Sequence, residues 1–487
     1  MITGKEVKVI DINAEYYGTP PEKLMENAGK NVAEYIQQNT KNPEIVVVCG
    51  SGNNGGDGFV AARYLSKKFP VTLFLVGKEE KIHTDIAQMN FSKLKSLPIT
   101  LYDHRHLDKL SSTLKKSTVI VDAMLGVGIT GELRPPYDEI VSMINTFDDK
   151  HIVSVDMPTG LGTKKAVQPD TTVTFHDKKP DMNKKNSGQI IIADIKIPNK
   201  AQTHVGPGEL TVYYPRSKKE SHKGQNGSVL VIGGGPFTGA PALSALAALR
   251  TGADLSFVAT PKDAAKTIAS FSPNLIVHPL QSEKILSDQD VSTIISLFDQ
   301  VDSILIGPGL GIEKDTSMAV RSIIKEAISS SKKIVIDADA IQPLFNHHQL
   351  LKDSEIVITP HAKEFTKLTG EKLSKNLTEK QKQIRLWAKK LKVTLFLKGS
   401  IDVLSNGEST RLNTVHNQAM TVGGTGDVLA GIIAALLSKN VSAMTAVRIA
   451  AFLNGEAGNQ AFKKSSYGLL ATDIIDTIPM VLNEYVH

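Results

Sequence analysis

An apolar run, Ile45-Val46-Val47-Val48-Cys49, leads into Gly50-Ser51-Gly52-Asn53-Asn54-Gly55-Gly56-Asp57-Gly58. Gly50, Gly52 and Gly55 satisfy G-x-G-x-x-G, a spacing that lets backbone N–H groups approach a pyrophosphate at the start of the next helix. Asn53, Asn54 and Asp57 lie outside that fingerprint and place short polar side chains where a ligand would sit. A hydride-transfer enzyme would also carry an acid closing the second strand, about twenty residues on. Val71–Val76 runs instead into Gly77-Lys78, with Glu79 and Glu80 beyond the best position. Hydride transfer stays open but is not favoured.

Two further apolar runs end in acids. Val119-Ile120-Val121-Asp122 leads into Ala123-Met124-Leu125-Gly126, and Ile152-Val153-Ser154-Val155-Asp156 into Met157-Pro158-Thr159-Gly160. In a parallel α/β sheet the ligand crevice lies outside the carboxyl ends of the strands, so Asp122 and Asp156 are both expected to face it. One such acid is as readily a helix N-cap; two beside a Gly/Asn loop favour a site. Asn54, Asp122 and a Thr159 oxygen form an oxygen-donor set suited to a hard cation.

The second half holds three more features. Gly423-Gly424-Thr425-Gly426-Asp427 opens an apolar helix, where successive glycine N–H groups and the helix dipole make an anion hole. Asp427 beside it is placed to take a proton from a hydroxyl attacking a phosphate, the alternative being a plain N-cap. Lys398-Gly399-Ser400-Ile401-Asp402 closes a strand where a nucleotide could dock. His361, in Thr359-Pro360-His361-Ala362-Lys363-Glu364, sits at another strand's carboxyl end, although a lone histidine is more often structural. There is no Walker A sequence.

These segments need strands and helices to hold them. Leu24, Met25, Ala28, Val32 and Ile36 recur at helical spacing, and Pro20-Pro21 before them fits a docked N-terminal helix. Strands are expected at 45–49, 71–76, 119–122 and 152–156, with helices such as 59–68 and 137–146 between them. After the polar stretch Tyr213–Ser221 the pattern restarts. Strands are expected at 229–232, 304–306, 334–337, 355–359 and 394–397, with helices at 240–251 and 428–438. The expected organisation is two α/β domains, residues 1–213 and 214–487, each with a parallel sheet covered on both faces.

Composition narrows the classes. The chain has 487 residues, enough for two to four domains. Lys plus Arg exceeds Asp plus Glu by six, and the lysines lie in small clusters, so neither a nucleic-acid stripe nor a membrane patch is expected. Cys49 is the sole cysteine, so no intrachain disulfide forms, and its apolar run argues for a buried strand position. The start of the sequence lacks a signal-peptide core, and the apolar run 428–437 is too short to span a bilayer. A soluble cytoplasmic protein is expected.

Gly52–Gly58, Val121–Gly126 and Val155–Gly160 together resemble the NAD(P)H-hydrate epimerase family, a likeness covering most of residues 1–213. It implies a Rossmann-like fold that interconverts the epimers of the hydrated nicotinamide ring. It implies substrate contacts from Asn53, Asn54, Gly55, Gly56 and Asp57, and from Gly126, Val127, Gly128, Ile129, Thr130, Gly131 and Glu132. Asp156 matches a substrate-contacting acid and is the expected proton-transfer group, while Asn54, Asp122 and Thr159 match a potassium site. Thr159 stands where serine is more usual and keeps the hydroxyl; Lys179-Pro180-Asp181 replaces a more usual Lys-Pro-Gly.

Residues 214–487 resemble the ADP/ATP-dependent NAD(P)H-hydrate dehydratases, of ribokinase-like fold. Gly233-Gly234-Gly235, Gly307-Pro308-Gly309-Leu310-Gly311 and Asp337-Ala338-Asp339-Ala340 support the likeness. It implies hydrate contacts from Ala240, Gly309, His361 and Asp427, and nucleotide contacts from Lys398, Gly399, Ser400, Ile401 and Asp402 and from Gly424, Thr425 and Gly426. Lys363 and the Val415–Met420 segment depart from the usual pattern. ADP is the expected phosphoryl donor, with ATP the other choice and Mg2+ an optional companion. NADHX and NADPHX are the expected substrates and a homo-oligomer the expected state. The competing reading is a ribokinase-like small-molecule kinase with a regulatory first domain.

Overall fold

The computed structural model describes residues 1–128, 131–351 and 355–486; Ile129 and Thr130 of the expected substrate loop lie outside them. The chain divides into two compact units, Met1–Gln202 and Thr203–His487.

In the first unit the strands are β1 (Ile45–Cys49), β2 (Val71–Leu75), β3 (Ile99–Tyr102), β4 (Val119–Ala123), β5 (His151–Val155), β6 (Thr171–Phe175) and β7 (Gln189–Ala193). They form one sheet in the order β3-β2-β1-β4-β5-β6-β7, and every pairing is parallel. Strand side chains alternate between faces, so β1 feeds two cores. Val47 and Cys49 join Leu73 and Val121 on one face. Val46 and Val48 join Phe74 and Ile120 on the other. Two N-terminal helices, Gly4–Tyr16 and Pro21–Asn39, precede the sheet, the second with proline in its first turn.

The strand order reverses between β1 and β4, which is where a doubly wound sheet opens its crevice. The helix after β1 starts at Asn53, earlier than the apolar periodicity suggests. Gly50 is sterically required there: a Cβ would lie 1.9 Å from the Met124 carbonyl oxygen. Gly50→Ala is expected to destabilise the first unit by about 3 kcal/mol, read as a lower denaturation midpoint with little change in the second unit's transition. Burial holds the Cys49 thiol well above its ordinary range, with the Asp122 and Asp57 carboxylates adding to the effect.

The second unit contains β8 (Ser228–Ile232), β9 (Leu255–Thr260), β10 (Ile276–Pro279), β11 (Ser303–Ile306), β12 (Lys333–Ile336), β13 (Ile356–Ile358), β14 (Thr394–Leu397), β15 (Asp402–Ser405) and β16 (Thr410–Asn413). The order is β10-β9-β8-β11-β12-β13-β14-β15-β16. The sheet is parallel up to β14, and β15 and β16 add antiparallel strands at the edge. The helix Thr425–Ser438 is buried on all sides from Val428 onward, which explains its uninterrupted apolar sequence. No described helix is long and apolar enough to cross a membrane.

The units part about ten residues before the expected boundary at 213. Val205 N donates to the Leu412 carbonyl oxygen at 2.9 Å, and buried Glu209 pairs with Arg448 at 3.0 Å. Tyr214 donates its hydroxyl to the Thr251 carbonyl oxygen at 2.8 Å, and burial pushes that phenol up to about 12. Tyr213 and Tyr214 therefore belong to the second unit's body and not to a linker.

Candidate active sites

In the first unit Asp156 follows β5 in left-handed backbone, φ 63°, a conformation uncommon for a residue with a side chain and typical of functional sites. Its Oδ1 accepts from Phe175 N at 3.3 Å and Thr174 Oγ1 at 3.4 Å. The Lys179 ammonium donates to the same oxygen. Lys179 is almost wholly buried, and its Nζ also donates to Thr174 Oγ1 and the Phe175 carbonyl oxygen, each at 2.8 Å. In sequence, Lys179 reads as part of the turn Lys179-Pro180-Asp181. Only the return of the chain after β6 brings its ammonium under Asp156.

Asp57 is partly buried on the first turns of the helix after β1. Burial pushes its carboxyl well above the carboxylate range; the Asp156 and Asp11 carboxylates push the same way, and Lys179 opposes them. Asp57 thus lies near the lysine-paired carboxylate of Asp156. A cavity of about 320 Å3 opens here, lined by Asn53, Asp57 and Thr84, by Asp11 and Leu24 of the N-terminal helices, and by His176. Asn53 Oδ1 accepts from Thr84 Oγ1 at 2.7 Å.

Asp122 departs from expectation. It is wholly buried and does not face the crevice. Its Oδ1 accepts from Thr159 Oγ1 at 2.6 Å and Met124 N at 3.3 Å. Its Oδ2 accepts from Thr159 N and Ser154 Oγ, both at 2.9 Å. Burial raises its carboxyl in spite of these donors. Asn54 is buried, and its Nδ2 has no partner among the described residues. A Cβ on Gly126 would lie 3.2 Å from Asn54 Cβ, so the loops after β1 and β4 touch. Val127 packs against the start of the N-terminal helix, where a Cβ on Gly4 would meet it at 2.3 Å. Gly128, Gly131 and Glu132 are exposed, and Glu132 Oε2 accepts from Lys164 N at 3.0 Å. Among the described residues no group of three or more His, Cys, Asp or Glu side chains is placed to hold a metal ion.

In the second unit the order reverses between β8 and β11. The loops there interlock: Gly234 N donates to the Pro308 carbonyl oxygen at 2.9 Å, and Gly309 lies against the Phe237 backbone. Ala240 opens the helix Gly239–Arg250, and Ser244 Oγ on that helix donates to the Asp427 carbonyl oxygen at 2.9 Å. Gly424 is the N-cap of the helix Thr425–Ser438, with φ 95°, which suits glycine. Asp427 lies in the first turn and is not the N-cap.

Burial raises the Asp427 carboxyl to about 7; Asp337, Asp339 and Glu364 add to this and Lys398 opposes it. Lys398 Nζ donates to Asp337 Oδ1 at 2.7 Å, and Glu364 Oε2 is 3.9 Å away. Burial pulls the Lys398 ammonium down, but the Asp337 and Glu364 carboxylates outweigh it and hold it above its ordinary range. Asp337 and Glu364 were not singled out from the sequence; the strand-end position of Asp337 was the available signal. His361 is the N-cap of the helix Ala362–Thr369, its Nδ1 accepting from Lys363 N and Glu364 N at 3.1 Å each.

A cavity of about 380 Å3 collects His361, Lys398, Gly399, Asp402, Thr425 and Gly426. Asp402 is buried, which raises its carboxyl although Gly399 N donates to it at 2.8 Å and Asn413 Nδ2 at 2.9 Å. Ser400 and Ile401 lie on the turn between Gly399 and Asp402, and Ser400 is exposed.

Two α/β units with glycine-rich loops at their strand-order reversals define a two-site enzyme of the nucleotide-binding class. The family model described as "YjeF-related protein N-terminus" matches residues 21–181, and that described as "NAD(P)H-hydrate dehydratase" matches 229–480. A bifunctional NAD(P)H-hydrate repair enzyme from Archaeoglobus fulgidus is 39% identical over 485 residues, covering 98% of this chain and 97% of its own. Its counterpart from Methanothermobacter thermautotrophicus is 38% identical, covering 98% and 94%. Among solved structures, a ribokinase-like superfamily protein from Enterococcus faecalis is 26% identical with a TM-score of 0.51, covering 58% of this chain and 96% of that one. An ADP/ATP-dependent NAD(P)H-hydrate dehydratase from Bacillus subtilis, co-crystallized with ATP/Mg2+, shares the fold at 24% identity and a TM-score of 0.51, covering 58% and 99%. The chain belongs to the family of bifunctional NAD(P)H-hydrate repair enzymes.

Proposed function

We propose that the first unit interconverts (R)- and (S)-NAD(P)HX and that the second removes water from the S epimer at the expense of a nucleotide, with ADP as donor. The observation that carries this reading is the pairing of two chemically distinct sites in one chain. One has Asp57, its buried carboxyl raised by its surroundings, near the Lys179-paired Asp156. The other has Asp427, poised near neutral pH, at a glycine-rich helix start.

In the first unit Asn53–Asp57 and Gly126–Glu132 hold the substrate, and Asp156 is the acid/base that moves a proton during epimerisation. In the second, Ala240, Gly309, His361 and Asp427 contact the hydrate, and Lys398–Asp402 contact the nucleotide. Asp427 takes the proton of the C6 hydroxyl as its oxygen attacks the terminal phosphorus. The Gly424–Gly426 amides and the Lys398 ammonium stabilise the transferring phosphoryl group. The C6–O bond then breaks, phosphate leaves with its electron pair, and a proton is released from the adjacent C5 to solvent, which restores the ring double bond; the ADP donor leaves as AMP.

Asn54, Asp122 and Thr159 fit a potassium ion: the donors are oxygens, and the buried Asn54 carboxamide has an unpartnered end that can present Oδ1 once the group is turned over. Such an ion would supply positive charge beside the substrate loop. Thr159→Val removes the Oγ1 that Asp122 and Leu125 N share. It is expected to cost roughly 1–3 kcal/mol and to abolish any rise in melting temperature specific to K+ over Na+. No described carboxylate cluster fits a dedicated Mg2+ site, so Mg2+ would arrive with the nucleotide phosphates. A homo-oligomer is the proposed state.

The test is recovery of the near-ultraviolet absorbance of reduced nicotinamide from mixed-epimer NADHX, with ADP or ATP supplied in turn. Full recovery with ADP supports both activities. Recovery that stops when the S epimer is exhausted leaves only the dehydratase. Phosphorylated product without water loss favours a kinase.

A further inference from the structure

A cavity of about 530 Å3 in the second unit lies outside the roles above. Its walls are the first turns of the helix Lys314–Ser329, the segment 342–347 and the last turns of the helix Ala362–Thr369. Its charged side chains are all of one sign. Arg321, His347 and Lys367 are basic, Ser317 and Gln342 are neutral, and no carboxylate lines the cavity among the described residues. Lys367 Nζ donates to Gln342 Oε1 at 2.9 Å, which joins two of the walls. Arg321 is half-buried and has no hydrogen bond or ion pair among the described residues.

A guanidinium in a concave site without a carboxylate suits phosphate, whose oxygens accept its forked donors. The cavity also offers an apolar face. Phe345 is 43% exposed, and its ring is seated on the helix end: a Cβ on Gly370 would lie 3.4 Å from Phe345 Cε2. An aromatic face beside clustered cations suits a flat base joined to a phosphate. The walls also continue the loops of the hydrate site. Gly309 and Gly311 lead into the helix Lys314–Ser329, Asp339 leads into Gln342, and His361 caps the helix that carries Lys367. Gly311 N donates to Asp339 Oδ2 at 2.9 Å, which fastens two of these loops together. Lys367 lies six residues beyond His361, roughly 9 Å along the helix at about 1.5 Å per residue.

A dinucleotide with its hydrated ring at His361 carries a second nucleoside beyond its pyrophosphate, and this cavity is placed to receive it. In NADPHX that nucleoside bears a 2′-phosphate, the group that tells the two hydrates apart and that an arginine commonly accommodates. We propose that Arg321 and Lys367 hold this phosphate and that the second unit prefers NADPHX to NADHX. This rests on the second unit being an NAD(P)HX dehydratase.

The full chain is assayed with (S)-NADPHX and (S)-NADHX at saturating ADP, alongside the double variant Arg321→Gln/Lys367→Gln. The parent is expected to prefer (S)-NADPHX by roughly 10–100-fold in kcat/KM, the worth of a charge-assisted hydrogen bond. The double variant should lose that preference through KM, because the 2′-phosphate is remote from the reacting carbon. Calorimetric titration of the ADP-saturated chain with adenosine 2′,5′-bisphosphate reads the cavity without turnover. The parent should bind it roughly tenfold or more tightly than the double variant; the first unit is common to both, so the difference belongs to this cavity. That difference together with equal use of the two hydrates would overturn the substrate assignment and give the cavity to a free nucleoside phosphate. Equal use of the hydrates and equal binding by parent and variant would overturn the site altogether. Failure of both hydrates to be dehydrated, with the titration difference intact, would overturn the dehydratase reading instead.

Discussion

Asp427→Asn is expected to lower kcat for nucleotide-dependent dehydration by roughly 10²–10⁴-fold, the range typical of a lost general base, while epimerisation in the first unit continues. The substitution keeps the size of the side chain and leaves intact the backbone bond between Ser244 Oγ and the Asp427 carbonyl oxygen. The parent's pH profile carries the same signature. Burial raises the Asp427 carboxyl to about 7, with Asp337, Asp339 and Glu364 adding to the effect and Lys398 opposing it. A base must be ionised, so the rate should fall about tenfold per pH unit below that value and level off above it. The stability effect runs the other way. The folded carboxyl holds its proton to about 7, whereas an unfolded one releases it near 3.8. Raising the pH through that window therefore removes stability, and the loss is complete above it. Asp427→Asn lacks this penalty and should melt no lower than the parent at pH 8. Loss of activity together with a lower melting point at that pH would assign Asp427 a structural role instead.

Asp156→Asn is expected to reduce epimerisation by a comparable roughly 10²–10⁴-fold and to leave dehydration of the S epimer at the parent rate. With mixed-epimer substrate, absorbance recovery should then stop when the S form is consumed. The neighbourhood makes a control necessary, because Lys179 is nearly inaccessible to water and donates to Asp156. Removing the carboxylate strands a buried ammonium, which is destabilising. Two bonds remain to it, from Nζ to Thr174 Oγ1 and the Phe175 carbonyl oxygen. The double variant Asp156→Asn/Lys179→Met removes the stranded charge. If it refolds to the parent's melting temperature and still fails to epimerise, the defect is chemical. Epimerisation by Asp156→Asn at the parent rate would remove Asp156 from the mechanism.

Much of this protein was readable from local sequence, because loop chemistry and strand periodicity are local. Gly50–Gly58 and Gly423–Asp427 stand where glycine-rich turns meet helix starts, and the apolar runs at 45–49 and 394–397 are strands with those bounds. Strands β3 and β10 are not legible in the sequence, since they are half-exposed and lack a continuous apolar run. The helices at Asn53 and Thr425 start earlier than apolar periodicity predicts, because their first turns are made of glycine and polar residues.

Tertiary structure decided what depends on distant segments meeting. A lysine is just a charge in sequence; it becomes the partner of Asp156 only because the chain after β6 turns back beneath β5. Asp122 reads as a crevice acid, yet the Thr159 loop folds over it and supplies two of its four donors. Asp427 acquires its near-neutral carboxyl from burial and from Asp337, at another strand end, and Glu364, in the first turn of the helix Ala362–Thr369. The sequence also could not place the division at 202, because Glu209 finds Arg448 more than two hundred residues away. Residue types and spacing specify which chemistry is on offer; burial and the convergence of remote charges specify which groups hold a proton and which are paired.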